Sequence, residues 1–189
     1  MTEPATPQTS ADEQHVPSTR HSVRLYRTWV LAVAAGVVVL DQGTKALAVA
    51  HLEHRPEPLV LIGAWLGKSI GPLLWLTFAR NPGAAFSIGT GMTWIFGLLA
   101  VAIIVVIWRT SRRLASVWWA VALGLLLGGA VGNLIDRLFR TPGRFQGHVV
   151  DFITVPHFAV FNLADAAITC AAILMVVLVI FGVNGWREA

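Results

Sequence analysis

The chain has 189 residues, 56% of them apolar and 13% charged, with a net charge of +4 at neutral pH. Soluble domains run at about 45–50% apolar and about 25% charged, so this composition, with a mean hydropathy of +0.68, argues for a chain that crosses a bilayer several times. The single cysteine, Cys170, excludes an internal disulfide and a cysteine-based zinc cluster, and the basic residues do not interleave with aromatics as nucleic-acid-binding chains require.

Residues 1–20 are rich in Pro, Ser, Thr and charge with little to bury, which predicts a disordered tail. The first apolar span is expected at 28–50, long enough for a helix to cross about 30 Å of hydrocarbon. Arg20, Arg24 and Arg27 before it and Ala48-Val49-Ala50 at its end imitate a cleavable secretory signal. Asp41, Gln42, Thr44 and Lys45 interrupt its core, however, so the segment reads as a retained span. Next come Pro58–Ile62 and Leu73–Phe78, short runs of β-formers bounded by Gly and Pro, which predict strands of a small apolar platform lying on the membrane. Further spans are expected at 92–108, 117–135 and 161–183, with tryptophans such as Trp94, Trp108 and Trp118 at their ends.

Four spans place both termini on one side. The connection from Arg109 to Ser116 packs three arginines into a short loop, which assigns it and both termini to the cytoplasm. The loops at 51–91 and 136–160 then face outward. The expected fold is an all-α polytopic membrane protein, four transmembrane helices with a small extracytoplasmic β-containing platform. Its divisions are a cytoplasmic tail at 1–27, a membrane domain at 28–185 and a short cytoplasmic tail at 186–189.

Ten carboxylates are present, and Glu3, Asp12, Glu13, Glu53, Glu57 and Glu188 fall in polar tails or loops. The remaining four, Asp41, Asp136, Asp151 and Asp165, lie in or beside apolar runs, where a charge is costly and marks a functional-site candidate. On the expected topology all four converge on the outer leaflet. A proton or ion path through a small transport or assembly subunit, the alternative function, would instead spread its charges over several depths.

Asp41 and Lys45 are four apart in the order that favours a helical ion pair. They read either as a structural pair or as the brace of a polar pocket. Gly124, Gly128 and Gly132, with Gly129 beside them, predict close approach of a neighbouring helix. Asn133, Asp136 and Arg137 gather around the end of that span. Asn81-Pro82-Gly83 forms a turn and leads into Ala84-Ala85-Phe86. Asp165 lies one turn after Asn162, and Asp151 sits between apolar residues.

Two carboxyls close together in a low-dielectric site share a proton, the working state of an aspartic protease. Spacing alone leaves open that Asp151 and Asp165 are unrelated acids. No HExxH helix exists, and His148 and His157 are nine apart in a loop, so zinc is disfavoured. Ser and Cys nucleophiles lack a recognisable His and acid arrangement.

DQGTK at 41–45, NPGAAF at 81–86, GGAVGNLIDR at 128–137, VVDF at 149–152 and FNLAD at 161–165 together resemble the ordered motif set of the bacterial lipoprotein signal peptidases, signal peptidase II. The resemblance covers about residues 28–183. It implies a cofactor-free aspartic endopeptidase of the cytoplasmic membrane, acting on lipid-modified prolipoproteins within membrane lipid and cutting before the diacylglyceryl-bearing cysteine. It implies Asp151 and Asp165 as the catalytic dyad, with Asp41, Lys45, Asn81, Asn133, Asp136, Arg137 and Asn162 as substrate-binding or supporting residues. A β-rich cradle on the membrane, no nucleic-acid partner, no metal and a monomeric enzyme complete the expectation. The N-terminal tail and the long stretch from Leu138 to Gln146 depart from the family pattern.

Overall fold

A computed structural model describes residues 19–63, 72–83 and 93–186. In chain order it contains α1 (Thr19–Leu52), β1 (Leu59–Ile62), β2 (Leu74–Asn81), α2 (Thr93–Thr110), a 3-10 turn (Ser111–Arg113), α3 (Val117–Phe139), β3 (Val149–Thr154) and α4 (Leu163–Ile180). Among the described residues, four helices are long and apolar enough to cross a membrane. The N-terminal tail, apart from its last residues, lies outside the described residues.

The helix α1 starts well before the expected 28. No proline or glycine intervenes between Pro17 and Gly36, so nothing in the basic segment stops the helix from continuing beyond the apolar core. The α4 helix ends earlier than the expected 183. Gly182 adopts φ +63°, the Val183 N–H bonds the Leu178 carbonyl at 2.9 Å and the Gly182 N–H bonds Val179 at 3.1 Å, a left-handed glycine termination that satisfies the last carbonyls.

The most buried helix is α3, and its glycines decide how closely its neighbours pack. A Cβ on Gly124 would stand 2.7 Å from Val33 Cβ and 2.9 Å from the Val30 carbonyl of α1, and one on Gly128 would stand 2.6 Å from Val37 Cβ and 2.8 Å from the Ala34 carbonyl. On another face, a Cβ on Gly129 would meet the Ala164 carbonyl of α4 at 2.5 Å. The small-residue stripe is therefore a packing surface, as small residues are in membrane helices generally. Val30, Ala34, Ile107, Leu114, Ala120, Leu123 and Leu127 form the core at the end of the bundle that holds the 3-10 turn. There Trp119 donates its indole N–H to the Val183 carbonyl at 2.9 Å and packs on Trp186 with ring centroids 5.7 Å apart.

At the opposite end, β1, β2 and β3 form an antiparallel sheet with β2 in the middle. The two expected strands are present with shifted ends, and β2 continues past Phe78 to Asn81 because its last residues pair with β3, Arg80 opposite Val150 and Asn81 opposite Val149. The third strand is a correction, since the VVDF segment had read as outer loop. Val149, Val150, Asp151 and Phe152 are all buried, and Val150 and Phe152 pack with Ala48 and Leu52 to fasten the sheet to α1. By contrast β1 exposes all four apolar side chains, which suits a strand lying at a lipid boundary rather than in water.

Candidate active site

The site lies where β2, β3 and the starts and ends of three helices meet. Antiparallel pairing sets Asp151 opposite Ala79. Side chains alternate along a strand, so Asn81 lies diagonally across from Asp151 on the same face. The Asn81 Nδ2 donates to Asp151 Oδ2 at 2.9 Å. The asparagine is held in turn by the Gly83 N–H, which donates to its Oδ1 at 2.9 Å, so the turn chemistry of Asn81-Pro82-Gly83 aims a donor at a carboxylate. Ala84, Ala85 and Phe86 lie outside the described residues.

Asp165 arrives from the first turn of α4. Asn162 is the N-cap, its Oδ1 accepting the Asp165 N–H at 3.0 Å, while Asp165 Oδ2 accepts the Asn162 N–H at 3.2 Å. This reciprocal capping box fixes the Asp165 carboxyl. The Asn162 Nδ2 remains free to donate to Asp151 Oδ1 at 2.6 Å. One asparagine thus caps the helix that carries one acid and bonds the other. The second oxygen of Asp165 accepts from Asn133 Nδ2 at 2.8 Å.

Asp151 is only 2% exposed. Burial pushes its carboxyl up to about 6, with the nearby Asp165 adding to the shift and the Asn81 and Asn162 amides opposing it. Both acids open on one cavity of about 590 Å³. Its polar end holds Asn81, Asn133, Arg137, Asp151 and Asp165, and its walls are apolar side chains of α2, α3 and α4, among them Leu99, Ile103, Leu134 and Ile168. A slot with a few convergent polar groups in a long apolar wall is the usual form of a ligand site.

The structure separates the residues that the resemblance groups together. Asn81, Asn133 and Arg137 line the cavity, whereas Asp41, Lys45, Asp136 and Asn162 are not among its lining residues. Asp41, Lys45 and Asp136 are fully buried behind it. The Lys45 ammonium lies 2.8 Å from Asp41 Oδ2 and 2.9 Å from Asp136 Oδ2 and donates to Asn133 Oδ1 at 3.0 Å, which occupies all three of its protons. Asp41 Oδ1 accepts the Ala164 N–H of the first turn of α4 at 3.0 Å. Asp136 Oδ2 accepts the Val150 N–H of β3 at 3.2 Å, and its Oδ1 accepts Arg140 Nε at 2.7 Å.

Arg137 stands on the rim of the acids. Its Nη2 donates to the Gly83 carbonyl at 2.8 Å, its guanidinium lies 5.3 Å from the Phe96 ring centroid, and its buried Nη1 has no hydrogen-bond partner among the described residues. Gln42 and Arg140 are site-supporting residues that sequence reasoning missed. Gln42 Nε2 bonds the Gly132 carbonyl at 3.0 Å and Asp136 Oδ1 at 3.2 Å, and only its adjacency to Asp41 could have flagged it. Among the described residues no three His, Cys, Asp or Glu side chains converge as metal ligands would.

A family model described as Signal peptidase (SPase) II matches residues 33–181. A lipoprotein signal peptidase from Rhodococcus jostii is 52% identical over 160 residues, spanning 84% of this chain and 76% of that protein. One from Streptomyces coelicolor is 54% identical over 155 residues, spanning 82% of this chain and 72% of that protein. One from Mycobacterium tuberculosis is 45% identical over 172 residues, spanning 91% of this chain and 79% of that protein. Among solved structures, a bacterial membrane enzyme determined by the in meso method at 2.3 Å resolution superposes with a TM-score of 0.68 at 27% identity, covering 85% of this chain and 94% of that chain. A second, at 1.9 Å resolution, gives a TM-score of 0.64 at 29% identity, over 79% of this chain and 91% of that chain.

Proposed function

The chain belongs to the signal peptidase II family and is a lipoprotein signal peptidase, and we propose that it cuts its substrates as an aspartic endopeptidase with Asp151 and Asp165 as the dyad. The observation that carries this reading is the joining of the two acids through Asn162 at the polar end of an apolar cavity.

The roles follow from the environments. Asp151, with its carboxyl pushed up to about 6 by burial, is the member that holds a proton and donates it to the carbonyl oxygen of the scissile peptide. Asp165 sits in the first turn of α4 and accepts the backbone N–H of the helix N-cap as well as the Asn133 amide, a position where the helix dipole favours the charged form, so it is the ionised member and takes a proton from the attacking water. The water oxygen bonds to the carbonyl carbon and a tetrahedral intermediate forms. Return of the oxyanion proton to Asp151 and transfer of a proton from Asp165 to the departing nitrogen break the C–N bond, leaving a carboxyl and an amine and restoring the pair. Such a pair titrates as a unit.

The substrate is a prolipoprotein already carrying diacylglycerol on the cysteine after the cut. The apolar walls of the cavity suit an acyl chain and a signal helix entering from the bilayer, with the peptide bond drawn to the polar end. Both termini lie in the cytoplasm, the sheet and the dyad lie at the outer leaflet, residues 28–185 form the catalytic membrane domain, and the enzyme acts as a monomer.

Asp151→Asn and Asp165→Asn, purified in detergent and assayed on a diacylglyceryl-modified precursor, test the reading. Each is expected to lose at least about 10³-fold in kcat, within the range that general acid–base groups supply, while unfolding cooperatively like the parent. Retained turnover in both variants would overturn the dyad. Equal cleavage of the unlipidated precursor would overturn the substrate class.

A further inference from the structure

Three asparagines donate to the two acids, and a side-chain amide can turn either its N–H₂ or its oxygen toward a partner. Each is held in the donating orientation by a hydrogen bond to its own oxygen. For Asn81 the lock is the Gly83 N–H at 2.9 Å, and for Asn162 it is the Asp165 N–H at 3.0 Å. Both locks are backbone amides. For Asn133 the close lock is a charged side chain, the Lys45 ammonium at 3.0 Å on Oδ1, while Nδ2 donates to Asp165 Oδ1 at 2.8 Å.

We propose that Lys45, one layer behind the cavity, is a positioning residue for the peptidase reaction: by pinning Asn133 it keeps an N–H aimed at Asp165 and so holds that carboxyl in its ionised, water-activating state. The inference rests on the dyad reading above. Lys45 does not touch substrate, since it is fully buried and is not among the cavity-lining residues. Without the ammonium, the Asn133 oxygen keeps only the longer bond from Asn162 Nδ2 at 3.3 Å, a group whose shorter bond goes to Asp151, and the amide loses its charged hold against turning that oxygen toward Asp165. Two oxygens facing each other are tolerated only when the carboxyl carries a proton, which is the state unable to accept one from water.

Among the described residues no other charged group around Asp165 bonds Asn133. From α1 it is faced by Lys45 and Asp41, from α3 by Arg137, with Asp136 behind, and from β3 by Asp151. The charged residue of α2, Arg109, is at the far end of that helix. Arg137 is engaged with Gly83. Lys45 is therefore the cation that both bonds Asn133 and faces the ionised acid.

The test is the pH dependence of cleavage of a diacylglyceryl-modified precursor peptide in micelles. Lys45→Met leaves Asp41 and Asp136 without their shared cation, so the informative variant is Lys45→Met/Asp41→Asn, which removes one charge of each sign and leaves Asp136 with Arg140. In it the ascending acid limb of kcat is expected to move upward by about one pH unit, the lower end of what a neighbouring charge does to a carboxyl. That is about a ten-fold loss on the acid side with KM unchanged. A purely structural role would lower the unfolding midpoint and leave the limb where it was, and a folded double variant with an unmoved limb overturns the proposal.

Asn133→Asp supplies the second measurement with Lys45 retained. It turns an acceptor permanently toward Asp165 while giving the ammonium another partner, and an unmoved limb there overturns the proposal whether or not the double variant folds. Asp165→Asn in the same assay separates the two failures: turnover in that variant removes the dyad, whereas a dead Asp165→Asn beside an unmoved limb in Asn133→Asp removes only the role of Lys45.

Discussion

Replacing Asp151 with asparagine should change how stability depends on pH, and the size of the change follows from its surroundings. Burial holds the folded carboxyl at about 6, against an ordinary value of 3.8. Below pH 3.8 the group is protonated in folded and unfolded chains alike and contributes no difference. Between 3.8 and about 6 the folded protein keeps a proton that the unfolded chain has lost, so stability falls as pH rises, at about 1.4 kcal/mol per pH unit for one group. Above about 6 the loss is complete, at about 3 kcal/mol. Asp151 is 2% exposed, so solvent does little to screen this cost. Asparagine does not titrate, so the variant should gain on the wild type by about 2 kcal/mol as pH is raised from 4 to 7, whatever constant offset its altered hydrogen bonds introduce. Denaturant unfolding of both proteins in the same detergent at several pH values measures the difference. A pH-independent difference would refute the burial of an ionisable acid, and a variant that loses on the wild type as pH rises would refute its sign. On the proposed dyad the same carboxyl must be protonated to act as the acid, so kcat/KM of the wild type should decline as pH rises through about 6.

The helix packing makes a paired prediction. Gly128→Ala puts a methyl group 2.6 Å from Val37 Cβ and 2.8 Å from a carbonyl, and should cost about 1–3 kcal/mol in unfolding measurements. Val37→Ala should not rescue it, because the obstructing atoms remain. Gly97→Ala meets the edge of the Phe145 ring at 2.6 Å, a movable side chain, so Phe145→Ala should restore most of what Gly97→Ala loses. Absence of that coupling would show that Phe145 does not sit on α2. Cleavage should persist in excess chelator, since the proposed steps pass only between water and two carboxyls, and loss of activity reversed by added metal would refute them.

The parts legible in the sequence are those whose signal is local. Four apolar spans, the glycine stripe at intervals of four and the strand-like runs before Ile62 and Phe78 each announce themselves within a short window. The strand β3 does not, because Asp151 interrupts its apolar run and its partner in β2 lies about seventy residues earlier. Asp41 and Lys45 were legible as a pair from their spacing. That the pair is a trio was not, since Asp136 joins it from α3 only because Gly132 leaves room: a Cβ there would stand 2.6 Å from Asp41 Oδ2. Gln42 had no signal beyond its neighbour, its bond to Asp136 spanning ninety-four residues.

The trio also explains why so much charge is kept out of water behind the cavity. Two carboxylates around one ammonium are costly to desolvate, and buried ion pairs are often no more stabilising than apolar residues of the same volume. Stability therefore gives little reason for them. Their remaining bonds give a better one. Asp41 Oδ1 holds the Ala164 N–H, the residue before Asp165. Asp136 Oδ2 holds the Val150 N–H, the residue before Asp151. The third group of the cluster, Lys45, fixes the asparagine that faces Asp165. Each acid behind the cavity thus grips the backbone one residue ahead of an acid that lines it, and Lys45 ties the two grips together. An apolar trio of equal volume would fill the space and leave both backbone amides without acceptors, so the separation of the two carboxyls would lose its hold on the backbone and rest on the bridge through Asn162.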